Sequence, residues 1–273
     1  MSGTAARWQP PGPALLFCPG DRPDRFAKAA AAADAVILDL EDGVAPGDRP
    51  AARRAIAESR LDPAHTVVRV NPSGTPDHAP DLDAVARSPY AAVMLAKTET
   101  ADQVRALAPL AVIALCETPA AILAAAQIAS AADAVMWGSE DLIAGLGGRS
   151  SRHGDGSFRE VVALARSTVL LAAGAAGIPA IDTVQVDLAG LAVLQRQAED
   201  AAASGFAALG CVHPSQVPVV RSAFRPTEDE VSWARRVLEA AQANGGAFRL
   251  DGQMIDGPLI RHAEQVMSRA GRD

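Results

Sequence analysis

Lysine is almost missing from this chain: of 25 basic residues, only Lys28 and Lys97 carry an amine side chain. Chemistry that needs an amine nucleophile therefore has few places to occur. Cysteine is scarce as well. Cys18, Cys116 and Cys211 are odd in number, far apart, and each lies within or beside an apolar stretch. That pattern excludes a disulfide framework and suits buried thiols in a reducing compartment. No run of 18 apolar residues occurs, and residues 1–17 hold no apolar segment of signal-peptide length, so the expectation is a soluble cytoplasmic protein without a membrane partner. The net charge of −7 is not offset by any basic cluster, which excludes nucleic acid as a partner. Nucleotide-binding signatures are missing too. The glycine-rich stretch 145–156 has neither a preceding strand nor a Gly-Lys-Ser/Thr ending and reads as a mobile loop. Cys211 and His213 supply two soft ligands with no second pair, too few for zinc.

What is present is apolar and periodic. With 273 residues, 49% of them hydrophobic, the chain can bury one large core. Short apolar runs occur at Ala14–Cys18, Ala35–Leu40, Thr66–Val70, Ala91–Leu95, Ala111–Cys116, Ala134–Trp137, Pro179–Ile181 and Ala207–Val212. Each has the length of a buried strand. Between them lie helical segments at Pro23–Ala33, Pro50–Ser59, Ala101–Leu107, Pro119–Ser130, Phe158–Ala173 and Leu188–Ala203, several with Pro in the first turn. Such alternation specifies a parallel sheet, open or closed. Polar residues follow nearly every strand, as at Glu41-Asp42-Gly43, Lys97-Thr98-Glu99 and Ser139-Glu140-Asp141. An open sheet gathers its site at one switch point, whereas a barrel draws on all of its strand ends. The reading is a (β/α)8 TIM barrel over residues 1–225, followed by a C-terminal helix and lid segment over 226–273. Asp256, between Ile255 and Gly257, stands out in that tail.

Three constellations could carry chemistry. Glu117 and Asp141 follow adjacent strands, and two carboxylates at one rim suit Mg²⁺, which takes its remaining oxygens from water and substrate. Each could equally serve a helix start. Arg69, amid apolar neighbours, needs an anion: a substrate oxyanion, or an ion pair with Asp39, Glu41 or Asp42. Lys97 ends the fourth strand and could form a Schiff base, or a salt bridge with Glu99 or a neighbouring strand-end acid.

In order along the chain stand LLFCPGDRP (15–23), VILDLEDGV (36–44), VRVN (68–71), MLAKTE (94–99), CETP (116–119), GSEDL (138–142) and CVHPSQ (211–216). This series resembles the strand-end motifs of the citrate lyase β-subunit-like and malyl-CoA lyase group in the HpcH/HpaI aldolase superfamily. The resemblance implies a Mg²⁺-dependent lyase acting on a 3-hydroxyacyl-CoA thioester, with the metal on Glu117 and Asp141. It further implies Arg69 and Glu41 as catalytic residues, and Asp42, Lys97 and Glu117 beside the substrate. Coenzyme A would cross the rim near Arg22, Lys28 and Arg49. MIDGP (254–258) is similar to a lid motif of the group, which implies that Asp256 completes the site of a neighbouring subunit in a homo-oligomer, a trimer. Three positions depart from the pattern, all on the expected coenzyme side: Pro13 where Arg is frequent, and Arg49 and Leu209 where Lys is usual. Two other readings stay open, a Schiff-base aldolase acting through Lys97 and a carrier-protein-dependent subunit inactive alone.

Overall fold

The structure, a computed structural model, describes residues 8–271. Eight parallel strands, β1 (Ala14–Pro19), β2 (Ala35–Asp39), β3 (Thr66–Val70), β4 (Ala92–Leu95), β5 (Ala111–Cys116), β6 (Ala134–Trp137), β7 (Ala180–Asp182) and β8 (Ala208–Cys211), close in sequence order into a barrel. The helices between them are α1 (Pro23–Ala32), α2 (Arg49–Glu58), α3 (His78–Ala86), α4 (Ala101–Arg105), α5 (Pro119–Leu123), α6 (Ala125–Ala131), α7 (Ser139–Gly145), α8 (Glu160–Ala176) and α9 (Leu191–Ser204), and α10 (Val217–Phe224) follows the last strand.

Side chains alternate across each strand, so every second residue points into the barrel. Leu15, Ile37, Val67, Met94, Ile113, Leu115, Met136 and Ile181 form the inner core. Their neighbours Leu16, Leu38, Val68 and Ala114 are buried on the other face. Burial on both faces explains why the strands read as unbroken apolar runs. The register then decides which side chains meet at the rim: Asp39 pairs with Arg69, and Leu115 with Met136.

Some expectations need correcting. The segment expected as one helix over Pro119–Ser130 is two, broken at Ala124, and α3 has no counterpart in the sequence reading; Pro80 lies in its first turn. The glycine-rich stretch is anchored rather than loose. Ser151 is buried and donates to Glu140 Oε1 (2.6 Å), Arg152 reaches the Gln197 side chain, and Arg159 donates to the Ser150 carbonyl (2.9 Å). Phe158, expected to open a helix, pairs across this loop with Arg152.

The chain divides into two compact units, one ending at Val220 and the other beginning at Arg221. The second holds α11 (Glu228–Ala243), an antiparallel hairpin of β9 (Phe248–Leu250) and β10 (Gln253–Ile255), and α12 (Gly257–Ala270). Ala234, Val237, Ile255, Ala263 and Val266 form its own small core. The hairpin was not foreseen; it turns at Asp251 and Gly252, both at positive φ (49° and 83°), the geometry that favours two-residue turns. Asp256 sits at the N-cap of α12, a place where Asp usually accepts a backbone N–H, yet its side chain makes no capping bond.

Candidate active site at the carboxyl ends of the strands

A cavity of ≈ 280 Å³ opens at the carboxyl ends of the strands. Asp39, Arg69, Glu117, Ser139, Glu140 and Asp141 line one part of it, and Phe17, Leu115, Met136, Val184 and Val212 another. This is the rim from which barrel enzymes draw their chemistry.

Asp39 is the hub of the charged part. Its carboxylate accepts the N–H groups of Glu41 and Gly43, both at 2.9 Å, and both Nε (2.6 Å) and Nη2 (2.5 Å) of Arg69. Arg69 Nη1 lies 3.0 Å from Glu41 Oε2, and its guanidinium stands 5.0 Å from the centre of the Phe17 ring. Burial works against the charge of Arg69, but Asp39, Glu41 and Glu117 more than offset it, and its pKa is raised. The ion-pair reading of Arg69 is thus fulfilled, and the side chain still borders the cavity. Glu41, also buried, is pushed up by desolvation against the pull of Arg69 and Lys97.

Glu117 projects from the residue after β5 and is 3% exposed. A Cβ on Gly138, one residue past β6, would lie 2.8 Å from Glu117 Oε2, so only glycine leaves the carboxylate its place. Lys97 donates its N–H to Glu117 Oε1 (3.0 Å). Burial pushes the Glu117 carboxyl up to about 8, Asp141 adds repulsion, and Lys97 and Arg69 counter only in part. Asp141 lies in the first turn of α7. Lys97 Nζ is 3.3 Å from Asp141 Oδ1, 4.0 Å from Glu117 Oε1 and 3.1 Å from Asp42 Oδ2, and it hydrogen-bonds Glu41 Oε1. Glu41, Asp42 and Lys97 stand beside the cavity lining rather than in it. Glu99 plays no part in this ring; its carboxylate accepts from Thr118 Oγ1 (2.7 Å).

Glu117 and Asp141 fit a hard divalent cation. All their donors are oxygen, and both carboxylates border the same cavity, Glu117 from a buried position. Among the described residues no group of three or more His, Cys, Asp or Glu is arranged to hold a metal ion, so a cation on this pair would keep positions for water or substrate.

The apolar part was missed by the sequence reading because each residue reads as ordinary core. Its signal was the period-two alternation: Leu115 lies two residues before Glu117, and Met136 two before Gly138, on the same inward face. A Cβ on Gly210 of β8 would meet Met136 Cε at 2.8 Å, Val184 Cγ1 at 2.9 Å and Phe17 Cε2 at 3.4 Å. A bare backbone there keeps the three together.

The expected coenzyme contacts lie away from the cavity lining. Arg22 pairs with Asp24, Lys28 is exposed on α1, and Arg49 pairs with Asp77; none of the three lines the cavity. Asp182, one residue before the cavity's Thr183, is tied up beneath the rim by Trp137 Nε1 (2.6 Å) and by Arg166 Nη2 (2.9 Å). The three cysteines are buried and form no disulfide, and burial holds the Cys116 thiol up at about 12.

A sequence model of the family described as HpcH/HpaI aldolase/citrate lyase matches residues 14–214. A citrate lyase subunit beta-like protein of Mycobacterium tuberculosis is 56% identical over 262 residues, covering 95% of this chain and 96% of its own. The mitochondrial citramalyl-CoA lyase of Homo sapiens is 29% identical, covering 95% and 86%. Among solved structures, protein CitE of M. tuberculosis in complex with magnesium, acetoacetate and coenzyme A superposes with a TM-score of 0.90 at 56% identity, covering 95% of this chain and 98% of that one.

Proposed function

Given that the chain belongs to the HpcH/HpaI aldolase/citrate lyase family, we propose that it is a Mg²⁺-dependent lyase that cleaves the C2–C3 bond of 3-hydroxyacyl-CoA thioesters. The observation that carries this reading is the convergence of Glu117, Asp141 and Arg69 on one cavity. The magnesium and coenzyme A in the M. tuberculosis complex support it.

In cleavage the 3-hydroxyl loses its proton to a base and becomes a carbonyl. The electrons of the C2–C3 bond pass into the thioester as an enolate, which takes a proton to leave an acyl-CoA beside a 2-oxo acid or similar carbonyl product. Negative charge on oxygen is the main problem. Glu117 and Asp141 would hold Mg²⁺, which supplies Lewis acidity and a template for the hydroxyl and carboxylate oxygens. Arg69, its Nε and Nη2 fixed on Asp39, stabilises the oxyanions with the cavity-facing part of its guanidinium. Glu41 is engaged by Arg69, by Lys97 and by the N–H of Asp42. It therefore holds Arg69 and Lys97 in position. The apolar wall of Phe17, Met136 and Val184 excludes water and takes the uncharged part of the acyl chain.

The Schiff-base reading gains nothing from the geometry. A lysine nucleophile needs a lowered pKa, whereas burial of Lys97 is outweighed by Glu41, Glu117 and Asp141, which raise it. The site is tested by offering malyl-, citramalyl- and hydroxymethylglutaryl-CoA with Mg²⁺, then with EDTA. Turnover that stops with EDTA and returns with Mg²⁺ is expected. Turnover indifferent to chelator and trapped by borohydride would restore the Schiff base, and none with any free thioester would favour dependence on a carrier protein.

We propose further that the protein is a cytoplasmic homotrimer in which Asp256 serves a neighbouring chain's barrel by exchanging the proton at the acyl carbon. The Asp256 carboxylate, which makes no capping bond, supports this role, and buried cysteines without a disulfide suit a reducing compartment. Mixing Asp256→Ala with Glu117→Ala chains, each inactive alone, should recover activity once subunit exchange is verified by mass. Verified hybrids without activity would refute the role in trans.

A further inference from the structure

Lys97 has a backbone that residues with side chains rarely adopt, with φ at +48°. Left-handed geometry outside glycine persists where surrounding structure enforces it, and it gathers at functional sites. Here it turns the N–H of one residue to Glu117 and its ammonium to Asp141 and Glu117 together. The Lys97 N–H donates to Glu117 Oε1 (3.0 Å), while Nζ comes back to 3.3 Å from Asp141 Oδ1 and 4.0 Å from Glu117 Oε1. Glu41 and Asp42 hold the same ammonium from the other side. Lys97 stands beside the cavity lining, with its ammonium turned to these acids. A chain that uses lysine only twice has one here, its compact ammonium standing among four carboxylates.

We propose that Lys97 is a tethered cation that weakens the divalent site until substrate completes it. This rests on the Mg²⁺ reading above. Lys97 is then a positioning residue. Its ammonium already occupies the field of Glu41, Asp42, Glu117 and Asp141, so an arriving divalent ion meets one negative charge fewer and a like charge close by. The oxygens of a bound 2-oxo acid supply the missing attraction. Ion and organic ligand thereby become interdependent, and by linkage each must raise the other's affinity by the same factor. An empty enzyme stays loosely loaded.

Calorimetric titration of the full-length chain with Mg²⁺, alone and with saturating pyruvate as the probe, tests this directly. In the wild type, pyruvate should tighten Mg²⁺ binding about tenfold or more. Lys97→Met keeps the backbone N–H and the length of the side chain but removes the charge; without pyruvate it should bind Mg²⁺ about tenfold tighter than wild type, with a smaller further gain from pyruvate. Lys97→Arg should stay weak, because the charge remains. Should Lys97→Met not fold, Lys97→Asn suits the left-handed backbone and makes the same prediction. Wild-type chain that takes up no Mg²⁺ with or without pyruvate overturns the lyase reading and this inference together. Uptake by wild type that neither uncharged variant strengthens overturns the inference alone.

Discussion

Around the carboxyl rim, β2 to β6 with their following loops carry Asp39, Glu41, Arg69, Lys97, Glu117 and Asp141, whereas Phe17, Leu115, Met136, Val184 and Gly210 form an apolar arc. The two arcs border the same cavity and are built on opposite terms. In the charged arc each buried group needs several partners, because an unpaired buried charge is costly. Asp39 accordingly accepts four hydrogen bonds around its carboxylate. In the apolar arc the contacts are non-directional, and the governing quantity is free space. Chemistry therefore depends on the first arc, and the fit of the uncharged part of a substrate on the second.

The largest expected effect breaks the charged arc. Glu117→Ala and Asp141→Ala should each abolish Mg²⁺-dependent turnover while circular dichroism and the melting temperature show a folded barrel; near-normal activity with unchanged Mg²⁺ affinity would remove that residue from the site. Arg69→Lys comes next. A lysine cannot span Asp39 at two points and face the cavity as well, so kcat should fall by ~10²–10³, nearly as far as in Arg69→Ala. A mild lysine variant would mean that only a positive charge is needed.

Sharpening the apolar arc calls for a change of one methyl group. The Gly210→Ala methyl would sit 2.8 Å from Met136 Cε and 2.9 Å from Val184 Cγ1, so those side chains, which line the cavity, must shift. The ratio of kcat/KM between a thioester with hydrogen at C3 and one with methyl there should shift by about tenfold, the usual scale for one methylene in a pocket. Mg²⁺ affinity should stay put, and a change in it would show that the two arcs are not separable.

The smallest effect is on stability. With its carboxyl raised from 4.5 to about 8, Glu117 in the metal-free protein holds its proton more tightly when folded than when unfolded. The folded state then binds more protons between those values, and stability falls as pH rises through that window. Melting in EDTA at a series of pH values should show a decline in wild type that Glu117→Gln flattens by a few degrees. Identical slopes would place the Glu117 titration elsewhere.

Strand positions were legible because burial on both faces writes each strand as an apolar run, and the polar residues after those runs marked the rim. Arg69 was conspicuous as an arginine in such a run, and Asp39 as an acid alternating with Leu40. The partners of Lys97 were legible only as a neighbouring strand-end acid, not as these four. They come from positions 41, 42, 117 and 141, and only closure of the barrel brings them to one ammonium. The apolar arc was hidden for a different reason, since Phe17, Met136 and Val184 are core residues by every local measure. The hairpin over residues 248–255 escaped because a three-residue strand such as Phe248-Arg249-Leu250 has too few alternations to register.

Trp137 gives the molecule an optical reporter of its own. Its indole is fully buried, donates to Asp182, meets the Phe158 ring edge-on at 5.3 Å, and stands one residue before Gly138, where the segment carrying Ser139, Glu140 and Asp141 begins. With Trp8 and Trp233 the only other tryptophans, replacing those two by Phe would leave a single emitter four positions from Asp141. Loading of the site could then be followed by intrinsic fluorescence, with no dye, coupling enzyme or thioester substrate.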